Sequence, residues 1–588
     1  MSLLTDLSEQ FGDAFEAAGV DSAAGLVLPS QRPELAQFQC NGALGAAKKA
    51  GRNPRDLAQE VLDSLGDRTP FASLDIAGPG FLNITVTDEY LAHYAQSMED
   101  GDRCGIGTPD PKHKVIVDYG GPNMSKSMHV GHLRASIIGE SLKRLFRVAG
   151  HDVDGDIHMG DWGMPIGQLI IELERRQPEL SYFDADFTGP YPAESPVTLD
   201  DLSEMYPIIV EGCRSEPELG ERARQATFDL QNGRAGYLAL WQHYHNVSVT
   251  EQKKDFAQLG VEFDLWRGES TVHDRLAPLV DRLINEDDLA VESDGAIVVH
   301  VEQPDDKKEM PPLLLTRSDG SYLYSTTDLA TLDQRVEESY DLVLYVVDAR
   351  QGLHFEQVFR VARKSGIAPE PVGLEHIAFG TVNGPDGTPF KTREGGVLRL
   401  ADLMEIVTDA ARERLDEAAI AQDYPTEERD RIARQVGLGA LKFGDLSNHR
   451  TSNYIFDLDR FTSFEGKTGP YLQYGAVRIQ SILRRAADAG LEPGPIIAPV
   501  VDQERGLILR LLRLPEVIDR AVEVRAPNVL TEYAYEVATD FSRFYEACHI
   551  LREEDPDRQA SWLALVDLTL RVMRLLLDTL GIEVPERM

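Results

Sequence analysis

Lysine is scarce in this chain: 14 lysines among 59 basic residues face 98 acids, for a formal net charge of −39. At ordinary ionic strength such a surface repels a polyanion, and taken alone it argues against a nucleic-acid partner. In multimolar salt, however, the Debye length shrinks to roughly 3 Å or less, so distant carboxylates stop opposing association and local contacts decide. An acidic, lysine-poor surface is what a salt-loaded cytosol demands, and the sequence reads as halophilic. The acids are spread through apolar-patterned segments rather than gathered in tails, which excludes disorder. Cysteine is equally sparse. Cys40, Cys104, Cys213 and Cys548 lie far apart with no C-x-x-C pair, which excludes a zinc ribbon or a disulfide framework and predicts ordinary buried thiols. No apolar run is long enough to span a membrane. The start, MSLLTDLSEQFGDAF, has early acids, no basic flank and no small-residue cleavage site, so it reads as a folded helix and a cytoplasmic location is expected. At 588 residues the chain exceeds one core, and three or four domains are expected.

One stretch organises the rest: residues 115–134, VIVDYGGPNMSKSMHVGHLR. Val115, Ile116 and Val117 suit a buried parallel strand, Gly120-Gly121-Pro122-Asn123 breaks it, and apolar residues recur at helical spacing from Leu133 to Ala149. His129 and His132 flank Gly131 where that helix should start, and a helix start offers free N–H groups and a positive dipole end to an anion. Imidazoles there can donate to a phosphoryl group as charge builds, while Gly131 lets a flat base approach the backbone. The alternative is a solvated or metal-binding pair, but no nearby Cys or His completes a tetrahedral set.

The whole stretch resembles the signature loop of class I aminoacyl-tRNA synthetases, and D-Y-G-G-P-N with K-S-M-H-V-G-H-L-R is similar to the arginyl-tRNA synthetase family in particular. The likeness runs through nearly the whole chain. It implies an α/β multidomain protein: a small α+β N-terminal domain over 1–108, a Rossmann-like catalytic core over 109–395 with a helical insertion at about 177–259, a helical connecting region over 396–455, and an all-α bundle over 456–588. It implies ATP with Mg2+, L-arginine and tRNA(Arg) as partners, activation that requires bound tRNA, and no structural metal or membrane; a monomer is expected.

Along the chain, helical patterns at Leu4 to Ala18 and Pro54 to Leu65 accompany the strand-like LDIAGPGFLNITV, which fits a small α+β unit. Its FQCNGAL and AGPGFLN resemble the domain with which the family touches the tRNA elbow, so Phe81 and Asn83 are candidate D-loop contacts, Phe81 by stacking. The competing reading makes Phe81 core and Gly78-Pro79-Gly80 a turn. After the signature helix, DGDIHMGDWGMPIGQLIIELE repeats the strand, turn and helix rhythm of a doubly wound sheet. In STTDLATLDQR a helix with a Ser or Thr cap is expected, followed by the strand DLVLYVV and a helix from Phe355.

A guanidinium needs planar carboxylates, an aromatic face and little else that is positive. The resemblance carries this role to Glu269, Tyr324, Asp328 and Gln351, with Asn123 nearer the amino acid's polar end and His354 at the nucleotide. Individually, each acid could instead be a surface charge. The second catalytic loop of the class, ordinarily K-M-S-K-S, is replaced by Pro389-Phe390-Lys391-Thr392-Arg393. Many relatives lack the standard form, and the likeness implies that Lys126 then supplies the missing charge, with Lys391 or Arg393 as further ligands of the β/γ-phosphates.

From Asp402 the chain reads as amphipathic helices. The segments GPYLQYGAVRIQSI and GIEVPERM resemble the family's anticodon-binding domain, making Tyr471, Gln473, Tyr474, Arg478 and Met588 candidate RNA contacts; for the two tyrosines, core packing is the rival reading. FEGKT lacks the first glycine of a Walker loop, which is Phe461 here. The resemblance implies arginine–tRNA ligase activity. Its rivals are another class I synthetase, a non-catalytic RNA-binding relative, and a small-molecule adenylyltransferase, the last disfavoured by the long helical C-terminal region.

Overall fold

A computed structural model describes residues 2–32, 35–384, 387–388 and 398–588. In the first unit, strands Val27–Pro29, Phe38–Cys40, Phe81–Val86 and Phe71–Ala77 form an antiparallel sheet in that spatial order. Alternation along Phe81–Val86 sends Leu82, Ile84 and Val86 into the core and leaves Phe81 and Asn83 on the opposite face. Helices Leu3–Ala17, Gly42–Ala50 and Pro54–Ser64 pack on the inner face. Ser2 caps the first, Asn53 the third, and Thr87 caps Asp88–Asp100, which follows the sheet.

The second unit is built on four parallel strands in the spatial order Gly373–His376, Leu342–Tyr345, Lys114–Asp118, Asp152–Asp156. The chain leaves Lys114–Asp118 for a neighbour on one side and returns on the other, so a crevice opens at the carboxyl ends of Lys114–Asp118 and Leu342–Tyr345. The signature residues follow the first of these ends, and Gln351 and His354 follow the second. Residues 265–268 extend the far edge through parallel bridges Asp156 to Leu265 and Met159 to Gly268. A separate three-stranded antiparallel sheet, Ala290–Ser293, Ala296–Val299 and Leu313–Thr316, packs outside the parallel one. Insertion helices Leu199–Ser215, Pro217–Gln231 and Ala235–Leu259 share a core of their own with Met164–Arg176.

The signature helix, Leu133–Ala149, is buried nearly all round and carries its charges inside. Arg134 Nε lies 3.1 Å from Asp445, which is wholly buried on helix Thr426–Leu446 and also accepts from Tyr454 at 2.9 Å. Breaking such a pair by removing one partner costs about 3–5 kcal/mol. Gly139 is required because a Cβ there would lie 2.2 Å from the Tyr119 ring. At the other end Arg144 bonds Glu140 at 2.7 Å and Asp578 at 2.8 Å, joining the helix to the C-terminal bundle. That bundle comprises helices Gly469–Asp488, Asp502–Leu511, Leu514–Val524, Asn528–Ala547 and Pro556–Thr579. Cys40, Cys104 and Cys548 are buried and Cys213 is half-buried; none forms a disulfide. The helix expected to start on a Ser or Thr cap, Tyr324–Glu337, has Leu323 at that position and no side-chain cap. Its hydroxyls tie it to the neighbouring strand instead, Ser325 to the Leu314 carbonyl and Thr326 to Leu315 at 2.5 Å.

Candidate active site

One side of the crevice, where a phosphate was expected, is built around four consecutive residues. His129 caps the short turn Val130–His132: its Nδ1 accepts from Gly131 N–H at 3.0 Å, while His132 Nδ1 accepts from His129 N–H at 3.1 Å. A neutral imidazole with Nδ1 accepting carries its proton on Nε2, so each ring keeps one N–H for another acceptor. Burial enforces neutrality. It pushes His132 down to about 3, helped by His129, and it lowers His129, helped by Lys126. The rings lie 4.0 Å apart at 31°. Gly131 has a nearer reason than an incoming base: a Cβ would sit 2.7 Å from the His129 ring. The loop is held from behind by Val130 N–H on the Leu398 carbonyl and Leu400 N–H on that of Met128, both 3.0 Å. Lys126 Nζ stands 4.3 Å over the Tyr206 ring, and burial lowers its pKa. Lys391 and Arg393 lie outside the described residues.

The opposite side is assembled from distant segments. Asp328, one turn into helix Tyr324–Glu337, accepts from His354 Nε2 at 2.5 Å and has His158 Nε2 at 3.9 Å. The rings of Tyr324 and His354 lie 4.6 Å apart. Tyr324, Gln351 and His354 line a cavity of about 520 Å³ with Arg350, Leu353 and Gln357. Arg350 is tied to Asp348 at 2.9 and 2.8 Å, so its charge is matched at the rim. Glu269 opens the turn Glu269–Val272; burial pushes its carboxyl up to about 7, and the charges of Asp328 and Asp161 add to this. Asn123 is exposed and bridges to Gly160, with Met124 N–H on the Gly160 carbonyl at 3.1 Å. His354, expected at the nucleotide, is bonded instead to Asp328, expected at the guanidinium.

Beneath this floor Arg335 is wholly buried, its Nη2 2.7 Å from Asp118 and 2.8 Å from Asp156, with the Tyr345 ring 5.2 Å away. Burial raises Asp118, opposed by Arg335. Arg335 thus offsets one of the two negative charges that the strand-end acids can carry.

Residues 97–458 match the family model for class I (R) tRNA synthetases, catalytic domain; residues 5–86 match the arginyl tRNA synthetase N terminal domain and 472–588 the DALR anticodon binding domain. The arginine–tRNA ligase of Maricaulis maris is 50% identical over the full length of both chains, and that of Alkaliphilus oremlandii is 47% identical over the same span. The chain belongs to the arginyl-tRNA synthetases. Crystal structures of arginyl-tRNA synthetases from Plasmodium falciparum (TM-score 0.80, 24% identity, covering 100% of this chain and 99% of that one) and Thermus thermophilus (0.79, 22%, 100% of both) share the fold.

In this synthetase the remaining candidates fall into separate groups. Phe81 and Asn83 are half-buried on one face of the N-terminal sheet, and Asn83 accepts from Gln39 at 2.8 Å. Tyr474 is exposed, Tyr471 packs 5.6 Å from Tyr535, and Arg478 stacks 4.4 Å from Tyr545. Gln473 needs correction as an RNA contact. It is 0% exposed and donates to the carbonyls of Gln435 and Glu583 at 2.9 and 2.7 Å, so it holds the C-terminal segment in place. Met588 is half-buried against the helix pair that includes Ile432 and Val436. Asp161 was not legible in the sequence. Buried, it accepts from Ser270 N–H at 2.9 Å and Ser270 Oγ at 2.6 Å, fixing the Glu269 turn; the glycine-rich DWGMPIG was the only signal nearby.

Proposed function

We propose that the crevice carries out arginine–tRNA ligation with its two walls dividing the work. The observation that carries this reading is that neutral, donor-bearing imidazoles follow the strand Lys114–Asp118 while His354, bonded to Asp328, follows its neighbour Leu342–Tyr345, at one topological switch point. A carboxylate oxygen of arginine attacks the α-phosphorus of ATP, the bond to the bridging oxygen breaks, and pyrophosphate leaves. A ribose hydroxyl at the tRNA 3′ end then attacks the arginyl carbonyl and displaces AMP. Charge builds on phosphoryl oxygens in the first step, and donors fixed before reaction stabilise it without reorganising. His129 and His132 Nε2–H groups and Lys126 supply those donors, with Lys391 and Arg393 as further ligands; Mg2+ arrives with the nucleotide's phosphates. Asp328 and Glu269 take the guanidinium fork, Tyr324 covers it, and Gln351 and Asn123 orient the rest.

Phe81 and Asn83 meet the tRNA elbow, while Tyr474, Arg478, Tyr471 and Met588 form the anticodon-side surface. The protein acts as a cytosolic monomer in concentrated salt, where screening lets its acidic surface accept tRNA. Charging of total tRNA with each of the twenty amino acids, at several salt concentrations, tests the whole reading. Arginine alone should be accepted, and acceptance of another amino acid in its place would refute it.

A further inference from the structure

Two helices of the insertion reach the loop 123–127 that carries Asn123 and Lys126. From Leu199–Ser215, Tyr206 places its ring 4.3 Å from Lys126 Nζ, and Ser203, three residues earlier, lies 3.5 Å from Ser127 Oγ. From Ala235–Leu259, Ser248 Oγ accepts from Ser125 N–H at 2.9 Å, and Gln252, four residues later, donates to the Asn123 carbonyl at 3.2 Å. Spacings of three and four set each pair on one helix face. Ser248 and Gln252 are buried, so these bonds are made away from water. Ser125 has a φ of 68°, a conformation a serine adopts only when its surroundings impose it.

We propose that the insertion is the positioning scaffold of the phosphate loop, and that Tyr206 is the residue that holds Lys126 for ATP. The proposal rests on the reading of Lys126 as a phosphate ligand. A lysine side chain has many rotamers and a compact, mobile charge, so rate depends on restricting where it points. A carboxylate partner would restrict it but would also compete with the incoming phosphate for the same charge. An aromatic face attracts the ammonium without neutralising it, and leaves its N–H donors for a triphosphate. In a chain with 98 acids the partner at this point is a tyrosine ring.

The test is ATP–pyrophosphate exchange with tRNA present, run on Tyr206→Leu, Tyr206→Phe, Lys126→Met and the double variant Lys126→Met/Tyr206→Leu. Tyr206→Leu should lower kcat about two- to thirtyfold, the range of a cation–π contact, with the arginine KM within about twofold. Tyr206→Phe keeps the ring face and should retain most of the wild-type rate. The double variant should be no slower than Lys126→Met alone, since the ring acts only through the lysine. Multiplicative losses in the double variant, or equal damage from Phe and Leu, would overturn the proposal while leaving Lys126 as a ligand. A Lys126→Met enzyme at full rate would overturn both. The arginine KM and the thermal midpoint report folding independently, and should Tyr206→Leu fail to fold, Tyr206→Met takes its place in the same comparison with Tyr206→Phe.

Discussion

The two walls of the crevice are built by opposite strategies. The histidine wall comes from one short segment: His129, Gly131 and His132 hold one another through backbone N–H groups, with neutral imidazoles and Lys126 close by in the same loop. The guanidinium wall draws Glu269, Asp328, Gln351 and His354 from three separate segments, and each carboxylate is restrained by something else: Asp328 by His354, Glu269 by a turn that Asp161 anchors. Neutral groups can be packed tightly and locally without a charging cost. Like charges must be kept apart and individually stabilised, so their supports come from across the fold.

The sharpest way to break this contrast is His132→Asn, which removes the ring from the histidine wall. Adenylate formation should fall about 100- to 1,000-fold, as for loss of one oxyanion donor, with the arginine KM changed by no more than a few-fold. A matching rise in KM would mean that the walls are not separate. Next in size is Asp328→Asn. Losing a charge-assisted pair should raise the arginine KM about ten- to a hundredfold while kcat holds within about threefold, a pattern that substrate titration resolves.

Glu269 sharpens the comparison through pH. Its carboxyl lies near 7 rather than at the ordinary 4.5, chiefly because it is buried, and under the proposed function cationic arginine requires its ionised form. The arginine KM should therefore fall about tenfold per pH unit below this value, levelling off above it, and Glu269→Gln should flatten the profile. Stability runs the other way. A pKa raised on folding contributes stability that is full below the unfolded value and is lost as pH rises through about 7. The Gln variant should thus melt higher than the wild type at pH 8 and no higher at pH 4. The smallest effect is expected from Asp161→Asn, which keeps the shape of the Ser270 anchor but weakens it: the arginine KM should rise about three- to tenfold, with adenylation kcat near normal.

The same contrast sets what could be read from sequence. The histidine wall was legible because its chemistry and its strand, turn and helix context are contiguous; the helix Leu133–Ala149 begins and ends where apolar spacing placed it. The family likeness supplied Glu269, Tyr324, Asp328 and Gln351, but spacing could not show that His354 would turn to Asp328 or that Asp161 and Arg335 would lie beneath them. Those arrangements depend on pairings across 26 to 217 residues of chain. Gln473 went astray for a related reason: it sits beside exposed Tyr474 on one helix, and a polar side chain pointing inward is invisible until its carbonyl partners are known.

Arg335 has a consequence for the fidelity of translation. One guanidinium nitrogen, Nη2, meets both carboxylates while the flat group lies against the Tyr345 ring, a placement that a lysine, with no planar head to stack, reproduces poorly. Were lysine ever loaded onto arginine's tRNA at appreciable frequency, newly made copies of this enzyme would be among the first casualties.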